Sequence, residues 1–336
     1  MVYKTLTIPT LEDIEQAQKR IRKYLPKTPL KYSPELSRLT SAEVYIKYEN
    51  FNPTCAFKVR GGINFVCKQG LTPNVTSDNK RGQTPLLAGS TGNHGQSIAY
   101  AGKLFDIPVK IIVPEGANES KVQAIRDFGA EIIYYGKDVF EVWEYCEKLS
   151  REKDYIYVHS AEQPELIEGV GTIGLEVYED LPDIDCFITA VGGGSGICGS
   201  SVVLKSLNSE IKTYAVQSSG ASSVHDSFKQ KKTITHPSLN TFAEGLATRS
   251  TFEYTLNIMQ KYVDDVFLVS DEELKKSILL LIEHCHTIAE GAGAAALAGL
   301  IKNKELFKEK KVVCVLTGGN LQMNILKEIV TKGQVN

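Results

Sequence analysis

From Leu86 to the C-terminus short buried runs alternate with amphipathic stretches, and this alternation constrains the fold more than any other feature of the sequence. Leu86 to Ala88 reads as a strand and His94 to Phe105 as a helix. Val109 to Val113 is a strand closed by Pro114, and Asn118 to Phe128 carries Val122, Ile125 and Phe128 along one helical face. Glu131 to Tyr135, Tyr155 to Val158, Cys186 to Val191, Lys212 to Gln217, Val266 to Val269 and Lys311 to Leu316 read as further strands. Helical patterns over Val139 to Ser150, Pro164 to Tyr178, Gly196 to Ser206, Asp271 to Cys285 and Gly293 to Lys302 lie between them. Strands separated by helices of this length pair in parallel, with helices on both faces. The expected fold is α/β, with two doubly wound domains and mainly parallel sheets.

Ahead of the alternation, Leu11 to Tyr24 is a polar helical pattern ended by Pro26 and Pro29, and Glu43 to Tyr48 alternates as a strand. A length of 336 residues with 42% hydrophobic content is a soft prior for two domains. Gln69 to Gln83 is the most turn-rich stretch and the candidate crossing between them. The expected division is 1–83 with 158–336 as a large cofactor-binding domain and 84–157 as a small inserted one.

Bulk chemistry excludes several classes of partner. Lys plus Arg total 38 against 40 Asp plus Glu, a net charge of -2, so no strongly basic face for nucleic acid is expected. The clusters Lys19-Arg20-Ile21-Arg22-Lys23 and Lys229-Gln230-Lys231-Lys232 read as solvated faces. Met1 to Thr10 is too polar for a signal peptide and no apolar run is long enough for a bilayer, so a cytoplasmic protein without a membrane partner is expected. The 7 cysteines show no C-x-x-C spacing, which argues against a disulfide framework or a zinc ribbon. His284-Cys285-His286 spreads its side chains around a helix, so no metal is expected there.

The chemistry concentrates in loops. Asn52-Pro53-Thr54 breaks the chain before a helical pattern running from Ala56 to Cys67, which puts Lys58 in its first turn. Free backbone amides make a helix start positive, so an amine held there sheds its proton more readily. A neutral amine is a nucleophile able to form a Schiff base with an aldehyde, as pyridoxal phosphate chemistry requires. In open parallel sheets ligands sit beyond the carboxyl ends of strands. There Gly89-Ser90-Thr91-Gly92-Asn93-His94-Gly95 offers hydroxyls, an amide and free N–H groups suited to a carboxylate, although Ser90 or Thr91 would serve equally as ordinary caps. Val191-Gly192-Gly193-Gly194-Ser195-Gly196 lets backbone approach a phosphate. Glu290-Gly291-Ala292-Gly293 and Leu316-Thr317-Gly318-Gly319-Asn320 are the remaining loops. A hydroxyl at Thr317 facing a pyridine nitrogen would leave that nitrogen largely unprotonated and favour β-elimination over transamination.

One rival reading competes. Gly194-Ser195-Gly196-Ile197-Cys198-Gly199 fits the dinucleotide fingerprint of a nucleotide-binding module or an NAD-dependent enzyme. That reading needs an acidic residue at the end of the next strand, and Tyr214-Ala215-Val216-Gln217 supplies none.

Ala56-Phe57-Lys58-Val59-Arg60-Gly61, Ser90-Thr91-Gly92-Asn93-His94-Gly95, Gly192 to Gly196, Phe242-Ala243-Glu244-Gly245, Glu290-Gly291-Ala292-Gly293 and Thr317-Gly318-Gly319-Asn320 together resemble the serine/threonine dehydratases. These are fold-type II, tryptophan synthase β-like pyridoxal phosphate enzymes, and threonine ammonia-lyases are the most similar group. The resemblance spans nearly the whole chain and implies a role for each matched residue. Lys58 would be the Schiff-base lysine with Phe57 packed by the ring. Ser90, Thr91, Gly92, Asn93 and His94 would hold the substrate carboxylate, with Asn93 also reaching the phenolic oxygen of pyridoxal 5'-phosphate. Gly192, Gly193, Gly194 and Ser195 would bind its phosphate, Gly245 would border its ring, and Thr317 would face its nitrogen. Family members are usually homodimers or homotetramers.

The departures are informative. Racemases of the family carry a serine as the opposite-face acid or base where this chain has Thr91, so a hydroxyl remains there. Val170 replaces a usual glutamine, Thr317 a usual serine, and Gly291-Ala292 a usual Pro-Ser. His159-Ser160-Ala161-Glu162 differs from the usual dehydratase segment and bears on substrate choice. Glu244 is a candidate for helping to hold a structural cation, as in some relatives. The chain stops soon after its last helix, so isoleucine feedback through an appended domain is not expected. The implied reaction has Lys58 take the Cα proton and hydroxide leave from the β carbon, giving ammonia with 2-oxobutanoate from threonine or pyruvate from serine. Serine racemase and hydroxyaspartate ammonia-lyase are the alternatives within the fold.

Overall fold

The structure is a computed structural model describing residues 6–72 and 84–332. In chain order it runs α1 (Leu11–Ile21), β1 (Leu30–Tyr32), α2 (Pro34–Thr40), β2 (Glu43–Tyr48) and α3 (Val59–Lys68). Next come β3 (Leu86–Gly89), α4 (Asn93–Phe105), β4 (Val109–Val113), α5 (Glu119–Arg126), β5 (Glu131–Tyr134), α6 (Val139–Glu152) and β6 (Ile156–Tyr157). The remainder is α7 (Pro164–Asp180), β7 (Cys186–Ala190), α8 (Ser195–Leu207), β8 (Lys212–Ser218), α9 (Ser223–Gln230), α10 (Glu253–Tyr262) and β9 (Asp265–Val269), then α11 (Asp271–Cys285), α12 (Gly291–Lys302), β10 (Lys311–Leu316) and α13 (Met323–Lys332).

Two sheets result, a 6-stranded one ordered β1-β2-β10-β7-β8-β9 and a 4-stranded one ordered β5-β4-β3-β6. Among the described residues all strand pairings are parallel except β1 with β2, between which the chain reverses through α2. The α/β fold with mainly parallel sheets is thus as expected. Most of the turn-rich stretch expected to form the crossing, residues 73–83, lies outside the described residues. Between β8 and β9, where the sequence pattern marked no element, the chain forms α9 and α10.

Sheet faces follow from the two-residue period of a strand. Along β10, Val312, Cys314 and Leu316 face a core with α11 and α12, while Val313 and Val315 face a second core with α7, α8 and α10. In the smaller sheet, Leu86, Ala88, Ile111 and Val113 pack with α3 and α4, and Leu87 and Ile112 pack on Val142, Cys146 and Leu149 of α6. Each fully buried aliphatic side chain of this kind stabilises by about 1.5–3 kcal/mol. Helix starts are set by reciprocal caps at Thr10/Asp13 on α1 and Ser270/Glu273 on α11, and by Asp138 on α6. Among the described residues no helix is long and apolar enough to cross a membrane.

Helix α3 lies at the seam between the sheets. A methyl group at Gly61 would sit 3.1 Å from the Leu166 carbonyl of α7, and one at Gly62 would sit 2.5 Å from Ser97 Oγ of α4. The two glycines therefore allow one helix to pack closely against both layers.

Candidate active site

The carboxyl ends of β2, β10, β7 and β3 deliver the loops that sequence reasoning singled out. Lys58 is the N-cap of α3, one residue before its first turn and not inside it. The chain reaches it through Cys55, whose φ of 51° is left-handed. This bend lets Ala56 bridge Gly318, with Gly319 N donating to Cys55 O at 2.9 Å and Phe57 N donating to Thr317 O at 3.0 Å. Ser97 Oγ on α4 donates to the Lys58 carbonyl at 2.7 Å. The Lys58 backbone is thereby held by the loop after β10 on one side and by the smaller sheet's helix on the other.

Burial lowers the Lys58 amine to about 8, opposed by the negative charge of Glu290. The amine lies 5.3 Å from the Phe57 ring centroid, and that ring packs over Gly196 in the first turn of α8, where a methyl group would meet Phe57 Cε2 at 3.2 Å. Lysine, ring and glycine loop are contiguous.

Gly194 turns the glycine loop at φ 98°. The amides from Gly192 through Ile197 donate to no acceptor among the described residues, and the Ser195 hydroxyl makes no hydrogen bond there although the residue is buried. A run of free N–H groups at a helix start, bent through a left-handed residue, is an anion cradle. Gly245 closes against it, its carbonyl abutting Gly192, with Ala292 behind, where a methyl group on Gly245 would lie 2.7 Å from Ala292 Cβ.

The loop after β3 caps itself, Gly92 N donating to Ser90 Oγ at 3.1 Å. Asn93 reaches across the seam, its Nδ2 donating to Glu290 Oε1 at 2.7 Å and its Oδ1 accepting from Asn320 Nδ2 at 2.7 Å. Burial drives the His94 imidazole down to about 3, so it is neutral. Its Nε2 donates to the Val158 carbonyl at 2.9 Å and fixes the start of α4 to the end of β6. Thr317 is 4% exposed and its hydroxyl has no hydrogen-bond partner among the described residues. Thr91 is half-buried at the mouth of the same loop.

Three groups beyond the expected site residues join this arrangement. Glu290 and Asn320 were legible only as members of turns, because the hydrogen bonds that matter span 197 and 227 residues. Burial raises the Glu290 carboxyl above the ordinary range. His159, in the segment that departs from the dehydratase pattern, accepts from the Ala161 and Glu162 amides at Nδ1, and burial drives it down to about 4. Its ring packs with Trp143, Tyr157 and Phe252. The Glu244 carboxylate is engaged by Lys121 at 2.5 Å and Gln322 at 3.3 Å.

The dinucleotide reading fails structurally as well. Where that site would need a carboxylate, Gln217 Oε1 is spent on the amides of Val224 and His225.

A buried amine beside an anion cradle, at the carboxyl edge of a parallel sheet, defines a class, and the chain belongs to the pyridoxal-phosphate dependent enzyme family, whose model matches residues 21–318. Within that class its similarity is to threonine-deaminating enzymes. It is 37% identical to an L-threonine ammonia-lyase of Thermotoga maritima, covering 97% of this chain and 79% of that protein. It is 32% identical to the catabolic L-threonine dehydratase TdcB of Escherichia coli K12, over 95% of each chain. Among solved structures, maize serine racemase superposes with a TM-score of 0.89 at 27% identity, covering 97% of this chain and 98% of that one.

Proposed function

We propose that this chain is a pyridoxal-phosphate-dependent ammonia-lyase that converts L-threonine, and L-serine, to a 2-oxo acid and ammonia. The observation that carries the reading is the Lys58 amine, lowered to about 8 by burial, set against Phe57 and the free amides of the glycine loop. The residues present fit the cofactor. Gly192, Gly193, Gly194 and Ser195 would hold its phosphate, Gly245 and Phe57 would flank its ring, Asn93 would meet its phenolic oxygen and Thr317 its nitrogen. When bound, the group supplies the electron sink that makes the substrate Cα proton acidic, and a neutral partner at Thr317 keeps that sink weak enough to favour loss of a β substituent.

The chain's own residues do the rest. Ser90, Thr91, Gly92, Asn93 and His94 form the loop that would take the substrate carboxylate, its orientation fixed by the neutral His94 on Val158. The Lys58 amine, neutral for a useful fraction of time near pH 7, takes the Cα proton at Nζ. Burial around it excludes water that would otherwise compete for that proton.

Residues 84–157 would act as the small inserted domain, supported by β3 to β6 forming a sheet of their own. A cytoplasmic location accords with all 7 cysteines being free thiols, and a homodimer or homotetramer is the expected assembly, measurable by light scattering. Incubation with L-threonine, L-serine and 3-hydroxyaspartate, with 2-oxo acid and D-amino acid both quantified, tests the reading. Release of 2-oxobutanoate and pyruvate supports it. A dominant D-amino acid product, or elimination confined to hydroxyaspartate, overturns it.

A further inference from the structure

The Asn93 side chain donates from one end and accepts at the other, and its neighbours decide which is which. Asn320 Nδ2 donates to the Thr54 carbonyl at 3.0 Å, so that end of Asn320 is its NH2 group and the 2.7 Å contact with Asn93 Oδ1 is a donation. Asn93 Nδ2 is thereby turned to Glu290 Oε1, and its second N–H has no partner among the described residues. Glu290 is itself fixed, its amide donating to Gly318 O at 3.0 Å and its carboxylate packed on Gly318, where a side chain would collide with it. The network joins the loop before α3, the loop after β3, the start of α12 and the loop after β10.

We propose that Glu290 and Asn320 are positioning residues, holding the Asn93 amide as a hydrogen-bond donor toward the cofactor's phenolic oxygen while Glu290 serves as the counter-charge of the Lys58 amine. This rests on the cofactor reading above. An amide free to rotate would present its carbonyl to an anionic oxygen half the time, and the chain Thr54–Asn320–Asn93–Glu290 removes that choice. The charged groups around the pair are accounted for. Lys121 of α5 and Glu244 face Glu290 and are bonded to one another, and His94 beside Lys58 stays neutral. Glu290 Oε1 lies against Gly318, which Ala56 bridges two residues before Lys58, so its carboxylate is on the lysine's side of the network.

The test uses the full chain with and without pyridoxal phosphate. Without it, the pH dependence of Lys58 modification by trinitrobenzenesulfonate, read by peptide mass, gives the midpoint of the amine. Glu290→Gln should lower that midpoint by about one unit, Glu290→Asp should restore it, and Asn320→Ala should leave it in place. With pyridoxal phosphate, Asn320→Asp presents only acceptors to Asn93 and turns its amide over. A shifted visible band and at least roughly tenfold weaker binding are expected, about 1.4 kcal/mol, with Asn320→Ala between it and the parent. An unchanged midpoint in Glu290→Gln, or a parental band and affinity in Asn320→Asp, overturns the proposal. If the parent itself develops no visible band, the cofactor reading falls, while the labelling midpoints still decide whether Glu290 governs Lys58. Circular dichroism identifies any variant that fails to fold, and Glu290→Asp and Asn320→Ala then carry the comparison.

Discussion

Behind the site lies a buried ionic cluster whose disruption should be large and non-additive. Arg60, two residues beyond Lys58, bonds Glu49 through Nε at 2.7 Å and Nη2 at 2.8 Å, and Glu176 through Nη1 and Nη2 at 2.8 Å each. Lys47 Nζ adds 2.6 Å to Glu176, and Thr28 Oγ1 and Asn52 Nδ2 serve Glu49. All four charged side chains are 3% exposed or less. Two cations balance two anions, and this balance sets the outcome of mutation. Arg60→Met leaves a net buried negative charge and should lower stability by about 3–5 kcal/mol. Adding Glu49→Gln restores neutrality, with Glu176 still paired to Lys47, so the double variant should be more stable than Arg60→Met by about 1–2 kcal/mol. Urea unfolding followed by far-UV circular dichroism measures both. The cluster also predicts an acid limb. Although burial alone would raise it, the Glu176 carboxyl is held at about 2 against an ordinary 4.5 by Arg60 and Lys47. Its contribution is therefore complete above pH 4.5 and is lost as pH falls toward 2, and Arg60→Met should unfold at higher pH than the parent. A cost below about 1 kcal/mol for Arg60→Met, or a double variant as unstable as the sum of both singles, would refute the charge-balance argument.

Other outcomes follow from the site. Because the Lys58 amine is lowered to about 8, the rate of visible band formation on mixing with pyridoxal phosphate should rise about tenfold per pH unit below that value and flatten above it, whereas an ordinary lysine would keep rising toward 10.5. Gly194→Ala meets both a φ of 98° and Thr255 Cβ at 2.8 Å, so it should cost about 1–3 kcal/mol and weaken cofactor binding in equilibrium dialysis. Trp143→Phe removes the Nε1 donation to Gly89 O at 3.2 Å, worth about 1 kcal/mol. Loosening the residue before Ser90 should raise KM for threonine more than it lowers kcat. Thr91→Ala should raise KM for threonine while 2-oxo acid remains the product, and should remove any solvent exchange at the opposite face of Cα, read by deuterium incorporation.

The parts of the fold legible in the sequence were those where local chemistry and tertiary packing agree. Strands Glu43–Tyr48, Val109–Val113 and Lys311–Leu316, and helix Asp271–Cys285, fall where the apolar period and caps put them. The antiparallel β1 was not visible, because Leu30–Tyr32 is short and takes its direction from Tyr48 N bonding to Pro29 O. Helices α9 and α10 were missed since α9 is only 8 residues long and opens on a run of serines, which favour turns, and α10 has no side-chain cap. The first helix of the site was expected from Ala56, but Cys55 in the left-handed region and the bridge from Ala56 to Gly318 delay it, so that the chain passes through a turn at Phe57 and Lys58 and the helix begins at Val59. Motif spacing pointed to Lys58, the asparagine loop and the glycine loop. Their convergence depends on Gly61, Gly62 and a set of hydrogen bonds hundreds of residues apart, and no local pattern encodes those.

Helix α3 touches α7 through Gly61 and α4 through Gly62, and the Lys58 carbonyl is pinned by Ser97 on α4 itself. Helix α4 also opens with Asn93, which bonds Glu290 and Asn320 across the seam. One helix therefore carries both Asn93 and the hydroxyl that holds the Lys58 backbone. The two walls of the cleft are braced by a shared element, so the amine and the asparagine keep a common frame.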